Sequence, residues 1–174
     1  MLKIIIIAVI VLLAVILAYA ATKPDAFRVE RSISIKAAPE KIFALINDFH
    51  HWTSWSPYEK LDPAMKRTYS GAASGQGAGY AWESNGKAGV GRMEIMAASP
   101  AKISIRLQFI KPFEATHTAE FILEPQGDAT RLTWAMYGRD PYIAKIMCLF
   151  FNRDRMIGDD FEIGLANLKA LAEK

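Results

Sequence analysis

Between Phe27 and Tyr137 apolar residues return at every second position, and beyond Tyr142 they return at every third or fourth. That switch of period constrains the fold more than any other feature of the chain, because alternation marks half-buried strands and a three-four spacing marks a helix with one apolar stripe. In FRVERSISI, Phe27, Val29, Ile33 and Ile35 share a face, with Arg31 the exception among them. KISIRLQFI repeats the pattern with Ile103, Ile105, Leu107 and Phe109, and ATRLTWAMYG repeats it with Leu132, Trp134 and Met136. The closing stripe uses Ile157, Phe161, Leu165, Leu168 and Leu171. An antiparallel sheet must bury one face, and this last segment is the one long amphipathic helix available to cover it. The expected class is therefore α+β, a curved antiparallel sheet around a long C-terminal helix.

Shorter elements fill in the order. Ala38-Pro39-Glu40 opens a helix, since proline suits the first turn and glutamate the positive end of the dipole; Ile42, Phe43, Leu45, Ile46 and Phe49 form its stripe. MKRTYSG alternates weakly, YAWESNGKAGVGRMEIM reads as a hairpin turning at Asn85-Gly86, and ATHTAEFILEP is a further strand. Ile143, Ile146, Met147, Phe150 and Phe151 are expected to form one helical stripe before the terminal helix.

The amino terminus belongs to a different environment. Ile4 to Ala21 are 18 residues without a charge, and at 1.5 Å per residue they cover about 27 Å, close to the hydrocarbon thickness of a bilayer. A cleaved signal peptide is the competing reading, with Lys3 as its positive region and Ala18-Tyr19-Ala20 as a small-x-small site. The apolar run exceeds the usual signal core, which favours an uncleaved anchor over residues 1–22, a linker over 23–26 and one domain over 27–174. Lys3 favours export of that domain, while Lys23, Arg28, Arg31, Lys36 and Lys41 argue for retention. Some of these lie in a folded strand and weigh less, so the expected arrangement is a single-pass inner (cytoplasmic) membrane protein with its domain on the periplasmic side.

Composition excludes several functions. The net charge of +3 is spread out with no basic run, which leaves nucleic-acid binding without support. The single cysteine, Cys148, excludes an internal disulfide or a thiolate metal cluster, and its setting in IAKIMCLFF reads as a buried structural thiol. His50 and His51 are adjacent, and on a helix they point about 100° apart rather than chelating as an i, i+4 pair would. Glu59 and Asp62 lie across Pro57, so HHWTSWSPYEKLDP reads as a corner and not a metal site. Gly75, Gly77 and Gly79 lead into a strand with no Lys-Ser/Thr behind them, which fits bends and bulges better than a phosphate cradle. Arg92 and Glu94 share a face opposite Met93 and Ile95 and read as solvated charges.

The pieces FRVERSISIKAAPEKIFALIND, WTSWSPYEKLDPAMKRTYSG, GAGYAWESNGKAGVGRMEI, LQFIKPFEATHTAEFILEP, TRLTWAMYG and MIGDDFEIGLANLKALAEK together carry a resemblance. In their order and content the chain resembles the START-like, or SRPBCC, superfamily, and within it the membrane-anchored bacterial proteins of the polyketide cyclase/dehydrase-like group. The resemblance implies a helix-grip (Bet v 1-like) fold with a cavity between sheet and terminal helix, suited to a hydrophobic small molecule. It implies no cofactor and does not fix an activity, since such folds host carriers, receptors and enzymes.

Candidate pocket residues follow from the strand faces and helix stripes: Trp82, Phe109, His117, Phe121, Trp134 and Met136 on strands, and Met147, Phe150, Phe161 and Leu165 on helices. Each of these alone reads as ordinary core; together, wide aromatics and flexible methionine suit an apolar pocket. His117 shares parity with Ala119, Phe121 and Leu123, so its imidazole faces inward as a strand-end group or an acid/base group. Trp52 and Trp55, three apart, are expected to close one end of the pocket. Three functions remain in view: a membrane-tethered binder of a hydrophobic or lipid-like molecule, a cyclase/dehydratase-type enzyme using His117, and an envelope protein-interaction module using the sheet or the Trp52/Trp55 corner with no partner identified.

Overall fold

The structure, a computed structural model, describes residues 1–174 apart from Lys87. Helix α1 (Leu2–Ala21) is followed by β1 (Ala26–Ile35), α2 (Pro39–Asn47), two 3₁₀ turns (Phe49–Ser54 and Pro57–Lys60), and strands β2 (Lys66–Gly71) and β3 (Ala78–Glu83). Strands β4 (Val90–Ser99), β5 (Lys102–Lys111), β6 (Ala115–Gln126) and β7 (Ala129–Arg139) follow, then α3 (Tyr142–Met147) and α4 (Arg153–Ala172). The seven strands form one sheet in the order β1-β7-β6-β5-β4-β3-β2, every neighbour antiparallel. This is the α+β class expected from the switch of period, in the helix-grip arrangement that the resemblance implies.

The sheet curves where β4 shifts register against β5, between Val90 and Gly91 and between Ile95 and Ala97, since an extra residue on one strand bends it. Its concave face carries Ile95, Ile103, Ile105, Phe121, Leu123, Leu132 and Trp134, all buried. Helix α4 lies over that face through Phe161, Leu165 and Leu168, and two glycines let it approach. A β-carbon on Gly158 would meet the Arg31 guanidinium, and one on Gly164 would stand 2.7 Å from the Trp134 ring. Arg31, the charge on the apolar side of β1, is thereby explained: its Nε donates to Glu162 and its Nη2 to Asp154, each at 2.9 Å, pinning the helix to the sheet edge. The connection from β3 to β4 spans 84–89 and so exceeds a two-residue hairpin turn at Asn85-Gly86; Lys87, within it, lies outside the described residues.

The expected stripe from Ile143 to Phe151 does not form. Helix α3 ends at Met147, whose carbonyl receives the Phe150 and Phe151 amides, and Asn152 then starts α4 by accepting from the Arg155 amide. An N-cap requires a non-helical residue, so the two helices cannot merge. Phe150 (67 % exposed), Phe151 (58 %) and Cys148 consequently face outward, which corrects the readings of Phe150 as a pocket residue and of Cys148 as a buried thiol.

Helix α1 stands apart from the core, and of its residues only Ala20 is buried. By length and composition it is the one helix among the described residues able to cross a membrane, a test that a signal sequence also passes. Its carboxy-terminal end touches α3: the Tyr142 hydroxyl donates to the Leu17 carbonyl at 2.5 Å, and Lys145 donates to the Lys23 carbonyl and pairs with Asp25.

Candidate functional site

A cavity of about 420 Å³ lies between the concave face of the sheet and α4, within the size range of small-molecule sites. Its wall is built from alternate residues of four strands: Trp82 on β3, Met93 on β4, Ile105, Leu107 and Phe109 on β5, and His117 and Ala119 on β6. Trp134 and Met136 on β7 and Phe161 on α4 complete the floor, with the Trp134 and Phe161 rings stacked 4.1 Å apart.

Room for the large side chains comes from glycines placed opposite them. Gly91 pairs with Trp82, and a β-carbon there would stand 2.3 Å from the indole. Gly138 pairs with His117, and a β-carbon would stand 2.4 Å from its Nδ1. Gly164 does the same for Trp134 from the helix side. Three of the expected pocket residues therefore owe their room to a glycine placed opposite them.

Of the expected pocket residues, Trp82, Phe109, His117, Trp134, Met136, Met147 and Phe161 line the cavity. Phe121 and Leu165 face the right way but lie one layer deeper, fully covered, with Phe121 stacked behind Trp134 at 5.0 Å. Trp52 lines the cavity while Trp55, with no exposed surface, sits behind it. Their indole nitrogens donate to the Ile46 and Leu45 carbonyls at 2.9 and 3.0 Å. The Trp52/Trp55 corner is thus interior, and burial removes it as a protein-contact surface.

His117 faces inward and is edge-on to Phe27 at 4.9 Å. Burial holds its imidazole below the ordinary histidine range; Asp140 opposes that shift and Arg153 adds to it. Its Nδ1 is sealed against Gly138 and has no hydrogen-bond partner among the described residues. Among the described residues no carboxylate is hydrogen-bonded to Nδ1, the bond that ordinarily orients an acid/base histidine.

Polar side chains cluster at two places that the strand pattern does not mark. In the first, Glu59, only 7 % exposed, accepts from the Tyr80 hydroxyl at 2.5 Å and from Arg67 Nε at 2.6 Å. Burial, reinforced by the Glu59 carboxylate, holds the Tyr80 phenol well above its usual range. Beside it Tyr58 faces Asp160, whose carboxyl is pushed up by burial and by neighbouring Asp159. In the second, nearer the mouth, Arg153 bonds Asp140 at 2.5 Å and lies over the Phe27 ring at 4.4 Å. Glu59 and Asp160 carry no periodic signal, because Tyr80 lies 21 residues from Glu59 and Tyr58 stands on a different element from Asp160.

His50 and His51 stay out of the cavity. His50 bonds Asp48 at 2.7 Å and stacks on Tyr69, and His51 meets the Ala44 carbonyl. Among the described residues no group of three or more His, Cys, Asp or Glu is gathered as a metal site. Arg92 and Glu94 lie on the convex face, bonded to Gln108 and Arg106.

Exposed residues mark where the cavity opens. Leu61, Phe113, Ile143, Met147 and Met156 all line it and are all more than a third exposed. Phe113, Ile143, Met147 and Met156 surround a mouth between α3, the first turns of α4 and the β5–β6 connection, while Leu61 follows the Pro57–Lys60 turn.

A search of curated proteins finds no match. Solved structures share the fold at low identity. Protein CV1439 from Chromobacterium violaceum is 16 % identical with a TM-score of 0.60, covering 87 % of this chain and 99 % of its own. The di-domain ARO/CYC StfQ of the steffimycin biosynthetic pathway is 13 % identical with a TM-score of 0.66, over 85 % of this chain and 51 % of that one. Ara h 8.0201 is 11 % identical with a TM-score of 0.56, covering 84 % and 97 %. Residues 26–173 match a family model over nearly all of the chain beyond α1, and the chain belongs to that family, described as polyketide cyclase / dehydrase and lipid transport.

Proposed function

We propose that this protein holds a hydrophobic, lipid-like small molecule in the cavity between its sheet and α4, while α1 tethers it to the cytoplasmic membrane with the domain on the periplasmic side. The observation that carries the reading is the cavity itself, walled by aromatic and methionine side chains, with its few polar groups gathered at two places. Such a lining rewards burial of apolar surface at about 25 cal/mol per Å² and offers little to a charged ligand. The family to which the chain belongs includes lipid transport, which is consistent with a carrier or receptor.

The test is native mass spectrometry of the full chain extracted from membranes in mild detergent. A discrete co-purified mass is expected, and it should vanish in Ala119→Phe, which fills the cavity from β6 while leaving the strand pairing intact. A wild-type protein that stays empty across a panel of membrane lipids would remove the reading. Reporter fusions after Lys174 decide the side of the membrane.

Cyclase- or dehydratase-type turnover is the second reading, and the inward, half-buried His117 is the observation in its favour. It requires the imidazole to move a proton of the bound molecule. His117→Phe should then abolish turnover of any ligand identified above without releasing it.

A further inference from the structure

The rim of the cavity is apolar where a soluble protein would be polar. Phe113, Ile143, Met147, Phe150, Phe151 and Met156 are each between 40 % and 70 % exposed, and they belong to three neighbouring segments around one mouth. Contiguous exposed apolar surface of this kind marks a site of association. Charge does not select the partner, because Lys145, Arg153 and Arg155 are paired with Asp25, Asp140 and Asp159, and Lys111 is offset by Glu114 on the same connection.

The contact between α1 and α3 says what covers the rim. Tyr142 is bonded to the Leu17 carbonyl, and Leu17 lies four residues before the end of α1, hence about 6 Å inside it along the axis. A helix of 20 residues is about 30 Å long, the thickness of the hydrocarbon layer, so no slack remains to lift its last turn clear of the membrane. With α1 in the bilayer, the start of α3 sits at or just below the interface. Tyr142 and Tyr19 are the amphipathic residues that favour that level.

From this we infer that the mouth of the cavity is pressed onto the bilayer, with Phe150, Phe151 and Met147 inserted among the acyl chains. An apolar molecule then passes between membrane and cavity without crossing water. The inference rests on reading α1 as a membrane span. The surface it fits is the acyl–headgroup boundary of an electrically neutral bilayer, because the rim carries no excess charge.

Native Cys148 stands on the rim and is exposed, so it serves as the reporter. The full chain, labelled there with an environment-sensitive fluorophore, is placed in phosphatidylcholine nanodiscs containing lipids with a nitroxide at a shallow or a deep acyl position. Parallel samples in a Cys148→Ser background carry the label at Val11→Cys, mid-way along α1, or at Asp128→Cys, in the β6–β7 turn at the opposite end of the strands. The expected result is strong quenching at Val11 by the deep nitroxide and at Cys148 by the shallow one, several-fold above that at Asp128. Replacing Phe150 and Phe151 by Asp should lower the Cys148 quenching several-fold while leaving a Val11 label quenched. Quenching at Val11 without quenching at Cys148 would overturn the inference and leave the tether standing. An unquenched Val11 label would remove the tether and the inference together, and equal quenching at Cys148 and Asp128 would overturn the orientation.

Discussion

The two ends of the cavity are built from the same kinds of residue and finished in opposite ways. At the closed end, Trp52, Trp55, Trp134 and Phe161 are all buried and packed ring on ring. The Trp52 and Trp55 nitrogens are bonded there, and the buried carboxylate of Glu59 has two partners. At the open end, Phe113, Phe150, Phe151 and Met156 face outward. Aromatic content therefore does not distinguish structure from function in this chain; the covering does. The closed end should carry stability, and the open end should carry little of it.

The largest expected effect follows from that contrast. Trp55→Ala removes a fully buried indole and should cost about 4 kcal/mol, as large-to-small changes at buried aromatics do. It is read as a fall in the denaturation midpoint at unchanged slope. A loss below about 1 kcal/mol would mean that the closed end is as dispensable as the rim, because surface changes stay in that range.

Gly164→Ala comes next and probes the floor. Alanine gains about 1 kcal/mol of helix propensity over glycine, but its methyl group would stand 2.7 Å from the Trp134 ring and 3.1 Å from Pro57. The ring cannot retreat, since Phe121 stacks behind it, and overpacking of this sort costs about 1–3 kcal/mol. The net expectation is a loss of about 1 kcal/mol, with reduced occupancy of the cavity in the mass-spectrometric assay. A gain in stability would show that α4 floats on the sheet rather than gripping it.

What could be read from residues alone divides along the same line. Strands and the terminal helix were legible because period is a local property, and alternation placed Trp82, Phe109, His117, Trp134 and Met136 on the inner face. Parity says which face but not how deep, so Phe121 and Leu165 were indistinguishable from lining residues. The Glu59–Tyr80 bond joins residues 21 apart and leaves no periodic trace. Phe150 was misplaced because its apolar spacing continues that of Ile143 and Met147, while the break at Asn152 depends on a capping bond that composition does not announce. The glycines facing Trp82 and His117 became meaningful only once the register put them opposite.

His117 stands between the two ends, and its pH behaviour ranks it. Burial lowers its proton affinity in the folded state, so between the depressed folded pKa and about 6.5 the unfolded chain binds more protons. Stability contributed by the neutral ring is therefore complete above about pH 6.5 and is lost as pH falls below it. His117→Leu should remove that part of the slope, at most about 1.4 kcal/mol per pH unit for one group. The wild-type and variant curves should run parallel above neutrality and diverge below it. Curves parallel throughout would place the ring in water, on the open side of the comparison.

The smallest expected effect is the most diagnostic of the rim. Phe150 is two-thirds exposed and lies in the turn between α3 and α4, so Phe150→Ala in detergent should alter stability by no more than about 0.5 kcal/mol. If the mouth meets lipid, the same substitution should slow transfer of the bound molecule between protein and nanodisc, measured as exchange of a fluorescent ligand. A side chain that costs nothing to remove from the fold yet changes exchange belongs to the interface with the bilayer. Should Phe150→Ala destabilise the domain as Trp55→Ala does, the rim would be part of the core, and the contrast between the two ends would collapse.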